Sequence, residues 1–162
     1  MNRTIATLLV MLLGACAPDP RRAEHDVRAR VERTMGAFAA MDMEGFKAGL
    51  AEDVTAFEMD LDGRPVRLGS RDDVLRFAGE TFAQLKKMGA KVTLDIHSTH
   101  CRVNSTMADC IVEFDFKASM ADGSTMSQPT RNTIVLRKGD DGWTWTHWHS
   151  SLAAPSAPSS AP

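Results

Sequence analysis

After Gly89 the chain alternates apolar and polar residues over four long runs, and that period is what most restricts the fold. Side chains of a strand point to opposite faces in turn, so Val112, Phe114 and Phe116 share one face. Glu113, Asp115 and Lys117 take the other. The spacing predicts strands over Val92–Val103, Ala108–Met120, Thr125–Lys138 and Trp143–Ser151. Asn104-Ser105-Thr106-Met107 and Asp140-Asp141-Gly142 are the turns flanking the outer pairs. Strands joined this tightly must be antiparallel neighbours. One face of the resulting sheet is buried and one is wet.

The N-terminal half supplies the cover. Val27, Val31, Met35 and Phe38 recur at helical spacing between Glu24 and Ala40. Asp42 can cap a short second helix carrying Phe46 and Leu50. A strand over about Val54–Asp60 turns at Asp62-Gly63 into Arg64–Leu68, where Pro65 marks an edge strand. Ser70 caps a third helix, with Asp72 and Asp73 at its positive end and Val74, Phe77, Ala78, Phe82 and Leu85 on one face. Gly89 ends it. The pattern is an α+β domain with three N-terminal-half helices over the concave face of a strongly curved antiparallel sheet, a cone with a pocket. The methionines, among them Met35, Met41, Met43, Met59, Met88 and Met120, read as core; a Met-lined adaptable pocket is the alternative.

The first 15 residues read as an export signal. Arg3 precedes an apolar run from Ile5 to Leu13, too short to span a bilayer. Leu13-Gly14-Ala15-Cys16 then resembles the lipobox of a bacterial lipoprotein, which makes Cys16 the lipidated residue. Residues 16–22 form a proline-stiffened tether, residues 23–152 the domain, and residues 153–162 an unstructured Ala/Pro/Ser tail. Ala17, not Asp, follows the cysteine. By resemblance to proteobacterial sorting, this directs the protein to the outer membrane facing the periplasm. A formal net charge of −2 offers no basic footprint for nucleic acid.

Cys101 and Cys110 remain as a pair in an oxidising compartment. They lie symmetrically about Ser105-Thr106, so the hairpin register sets them opposite each other. A cross-strand disulfide follows; two reduced core thiols are the alternative, since such bridges are geometrically demanding.

The segment Arg131-Asn132-Thr133-Ile134-Val135-Leu136-Arg137-Lys138, then Gly142-Trp143, then His147-Trp148-His149-Ser150-Ser151, resembles the closing hairpin of the SnoaL-like branch of the nuclear transport factor two-like superfamily. It is also similar to the association domain of calcium/calmodulin-dependent kinases. The resemblance implies a cone-shaped fold, frequent homodimers and a hydrophobic pocket that serves isomerases, cyclases, hydratases and non-catalytic binders alike.

His147 and His149, two apart on a strand, share a face, and simple alternation adds Trp143, Trp145 and Ser151 to it. The resemblance turns this face to the pocket, with Arg131 and Thr133 approaching from the next strand. Arg131, Thr133, His147, His149 and Ser151 are therefore the expected ligand-binding residues. An arginine beside histidines suits a carboxylate or enol oxygen; the alternative is a structural hydrogen-bond set. His147 and His149 are half a zinc site, but no second motif completes it, and neither metal nor cofactor is expected. No tyrosine is present to act as an oxyanion donor. Asp60, Asp95, Glu113 and Asp115 are the candidate carboxylates, of which Asp95 shares a face with His97. The expected function is binding of a small, partly apolar molecule, anionic or neutral, in the cone. An isomerase, cyclase or hydratase in the same pocket, and a non-catalytic dimerisation or assembly module, are the alternatives.

Overall fold

A computed structural model describes residues 20–153. The export signal, Cys16 and the tail from residue 154 lie outside the described residues. Helix α1 spans Pro20–Ala39, α2 Met43–Ala48 and α3 Arg71–Lys87, among strands β1 (Leu50–Met59), β2 (Pro65–Leu68), β3 (Lys91–Val103), β4 (Met107–Ser119), β5 (Thr125–Gly139) and β6 (Gly142–Leu152). Helix α1 begins at Pro20, within the stretch expected to be tether. Proline is tolerated in a first helical turn, where its missing N–H has no partner to lose.

Asp42 and Ser70 cap α2 and α3 by accepting bonds from the backbone N–H groups of Gly45 and Asp73. Gly89 takes φ +61° just past α3, and Gly63 takes φ +77° in the β1–β2 turn, as those turns require.

The six strands lie in the order β2-β1-β6-β5-β4-β3. The four C-terminal strands form the expected antiparallel meander. The sheet as a whole is mixed, because β6 returns beside β1 and runs parallel to it. It curls but does not close. Helix α1 packs against β3 and β6, and α3 against β1 and β2. The helices stand further from β4 and β5, and the cavity described below lies between them and the sheet.

The core follows the two periods. Val27, Val31 and Met35 project from α1, and Val74, Ala78 and Phe82 from α3. They meet Val112 and Phe114 on β4 and Ile134 and Leu136 on β5. Ile134 and Leu136 are fully buried, which stabilises the fold by roughly 1.5–3 kcal/mol each. Cys101 and Cys110 are register partners and form a disulfide on the inner face. Among the described residues no helix is long and apolar enough to cross a membrane.

Two bulges change which side chains face the core. On β3, His97 is an extra residue between Ile96 and Ser98. On β6, Trp145 pairs with Leu136 and His147 with Val135, so Thr146 is the extra residue. An added residue reverses the alternation beyond it. Trp143 and Trp145 face inward before the bulge; Trp148 and Ser150 face inward after it.

Candidate functional site

The β6 bulge overturns the expected placement of the histidines. His147, His149 and Ser151 lie on the outer face of the sheet, opposite Trp143 and Trp145. Arg131 and Thr133 join them there, because their neighbours Thr130, Asn132 and Ile134 take the inner face of β5. None of the five lines the cavity.

The outer-face residues are partnered among themselves. Thr55 Oγ1 and His147 Nδ1 are 2.9 Å apart. Phe57, 48% exposed, sets its ring edge-on to both His147 and His149, with centroids 5.9 and 6.1 Å away. Arg131 donates from Nε and Nη2 to Glu113 Oε1 at 3.0 and 2.7 Å. The guanidinium hydrogen bonds hold the Glu113 carboxyl below its usual range. Thr133 stands opposite His149 in the register, and Ser151 Oγ donates to the Arg131 carbonyl at 3.4 Å.

The other candidate carboxylates are on the surface or committed elsewhere. Asp95 accepts from Lys117 at 2.5 Å, which lowers its pKa. Asp115 lies 3.3 Å from His97. Asp60 reaches the cavity, but its Oδ1 accepts from the Asp62 and Arg64 amides of the β1–β2 turn. Among the described residues no three His, Cys, Asp or Glu side chains converge as a metal site would need.

The inner face holds a cavity of about 100 Å³ that opens to solvent. Helices α1 and α3 roof it with Met35, Phe38, Val74, Phe77, Ala78 and Thr81. Phe46 of α2 and Leu94, Phe114 and Phe116 of the sheet add further apolar wall. Most of its polar groups come from the sheet: Glu58, Gln128, Thr130, Asn132 and Ser150, with the two indoles of Trp145 and Trp148; Asp60 and Thr81 add to them. No Arg, Lys or His lines it.

Glu58 was not among the expected residues, and it is the charged group placed deepest in this chemistry. Val54 and Ala56 precede it on the inward face of β1 and are buried; Glu58 continues that phase. Its Oε2 accepts from Trp148 Nε1 at 2.7 Å, and its Oε1 from the Met59 amide at 3.0 Å. The residue as a whole is half-buried. Desolvation of its carboxyl group pushes the pKa up, against the opposing pull of the Trp148, Met59 and Ser150 hydrogen bonds and the His149 charge. The register sets Phe57 beside His149 and Asn132 beside Ser150. Glu58, Ser150 and Asn132 therefore follow one another across β1, β6 and β5, a carboxyl, a hydroxyl and a carboxamide in one row.

Comparison with known proteins places this arrangement. The model of the SnoaL-like domain matches residues 27–155, from the first core position of α1 past the end of β6. The chain belongs to the SnoaL-like domain family. Solved structures share the fold of this SnoaL-like protein. One is a nuclear transport factor 2-like superfamily protein from Salmonella enterica serovar Typhimurium, with 19% identity and a TM-score of 0.69, covering 89% of this chain and 100% of that one. A candidate dehydratase of the same superfamily from Streptomyces avermitilis has 16% identity and a TM-score of 0.69, covering 83% and 99%. A candidate ketosteroid isomerase from Shewanella frigidimarina has 21% identity and a TM-score of 0.62, covering 80% and 97%. At such identities the likeness is one of fold. The comparison with curated proteins finds no match.

Proposed function

We propose that this SnoaL-like protein is exported, lipid-anchored through Cys16 at the outer membrane facing the periplasm, and binds a small, partly apolar, uncharged ligand in its cavity. The observation that carries the binding reading is Glu58: a carboxyl group held by an indole N–H in the wall of an otherwise largely apolar space. A concave apolar pocket with a few convergent polar groups is the usual form of a small-molecule site. The anionic ligand expected from Arg131 loses its support, because Arg131 is outside and no cation offsets Glu58 within. The anchor reading rests on the apolar run and the Gly14-Ala15-Cys16 sequence.

The same carboxyl supports an enzymatic alternative. A carboxyl group with a raised pKa beside an apolar substrate is suited to moving a proton at neutral pH. The candidate dehydratase and ketosteroid isomerase among the structural relatives fit an isomerase-, cyclase- or hydratase-type reaction. Phe57, 48% exposed on the outer face, supports self-association of that face as a homodimer.

The test is a native mass spectrum of the protein released gently from the cell envelope without reductant. A stoichiometric adduct of small mass on a fatty-acylated chain is expected. A chain bearing no lipid removes the anchor; a clean dimer with nothing bound moves the function to the assembly face.

A further inference from the structure

The inner face of the sheet changes character along its strands. Directly opposed residues of neighbouring strands share a face, so the register divides the cavity wall into rows. In one row Val112, Asn132 and Ser150 stand side by side, all buried, and Glu58 extends it on β1. The next row runs Ile96, Phe114, Thr130 and Leu152 across β3, β4, β5 and β6. Its middle members line the cavity and are buried. Its ends are open: Ile96 is 41% exposed and Leu152 59%. The row after it, Leu94, Phe116 and Gln128, also lines the cavity and is half-buried. The carboxyl, hydroxyl and carboxamide row is therefore at the covered end of the wall. The exposed apolar side chains flank the end that solvent reaches.

Scattered apolar residues on a surface carry no message, but exposed ones continuous with a cavity do. Ile96 stands directly opposite Phe114, and Leu152 opposite Thr130, so each adjoins a lining residue. The size of the space adds a second constraint. A dry cavity of about 150 Å³ takes up benzene, so one of about 100 Å³ holds roughly four or five non-hydrogen atoms. A longer occupant must continue through the open end, where Leu152 and Ile96 are the apolar surface it meets.

Resting on the reading of the cavity as the ligand site, we propose that its occupant is an uncharged amphiphile longer than the cavity. Its hydrogen-bonding end lies at the row of Glu58, Ser150 and Asn132, and its alkyl chain leaves over Leu152 and Ile96. Medium-chain alcohols are the simplest members of the class.

The test is an NMR titration of the full mature chain, methyl-labelled at leucine and isoleucine, with 1-butanol, 1-hexanol and 1-octanol. The chain carries Cys16→Ser, so that no lipid or detergent competes for the probes. Butanol fills the cavity. A methylene laid on the rim buries about half its surface, so each added pair should tighten binding about fourfold. Octanol should shift the methyl signals of Leu152 and Ile96, identified by their loss in Leu152→Ser and Ile96→Thr, and butanol should shift neither. Both side chains are exposed, so the double variant keeps the core intact. It should bind butanol as the native chain does and lose the gain from hexanol and octanol. If affinity levels off at butanol, the cavity is a ligand site but its occupant ends inside it, and the inference is wrong. If the gain persists in the double variant, the chain does not leave over these residues, and the inference is equally wrong. If no alcohol binds up to its solubility limit, the cavity reading falls and the inference with it.

Discussion

Trp148 donates its indole N–H to Glu58 at 2.7 Å, joining β6 to β1 through two side chains that line the cavity. The two strands are parallel and distant in sequence, so this bond exists only when the last strand has returned beside the first. It ties the closing step of the fold to the polar centre of the site. Replacing Trp148 by Phe keeps an aromatic wall but leaves a buried carboxyl oxygen without its donor. A loss of roughly 2–3 kcal/mol is expected in denaturant unfolding; a change near zero would mean the bond contributes little beyond packing.

The pH dependence of stability should carry the signature of Glu58. Its folded pKa is raised above the ordinary 4.5, so the native state holds the proton more tightly than the unfolded chain does. The contribution is therefore fully present below pH 4.5 and is lost as pH rises through the folded pKa. Glu58→Gln removes the titration while keeping an acceptor for Trp148. The variant should gain on the native protein as pH is raised from 4.5, seen as a rising difference in urea midpoints. Parallel curves for the two proteins would contradict the assignment.

Binding should separate the two faces of the sheet. Arg131→Ala and His149→Ala alter only the outer face and should leave the adduct of the native mass spectrum in place. Ala78→Leu, which pushes a larger side chain from α3 into the cavity, should displace it. An adduct that survives Ala78→Leu and disappears with Arg131→Ala would put the site on the outer face.

The Cys101–Cys110 bridge closes a short hairpin loop across β3 and β4. Cross-linking a loop of about that length restricts the unfolded chain by ~2–3 kcal/mol. The double variant Cys101→Val with Cys110→Val, chosen because Cys110 is fully buried, should lose that amount. Thiol labelling of the unfolded, unreduced protein should find neither cysteine free.

Much of the fold was legible because its signals are local. The caps at Asp42 and Ser70, the glycine turns, the strand alternation and the symmetric cysteine pair each depend on a few adjacent residues. The site was less legible, for two physical reasons. The Thr146 bulge inserts one residue that no local propensity announces, and it reverses every side chain from His147 onward. The return of β6 beside β1 is a long-range pairing, so nothing near Glu58 announces the indole that meets it. One signal was present: Val54, Ala56 and Glu58 share a phase, a carboxyl where an apolar residue is due. The exposed Phe57 between them masks it by making the other phase look like the buried one.

The central claim is that Glu58 is a desolvated carboxyl in the wall of a cavity. The direct measurement is its own titration, followed by the ¹³C shift of the side-chain carboxyl in glutamate-labelled protein, with Glu58→Gln identifying the signal. The account predicts a midpoint above 4.5, accompanied by a shift of the Trp148 indole N–H over the same pH range. A midpoint at or below 4.5, with the indole signal unmoved, would show a solvated carboxylate and contradict the account.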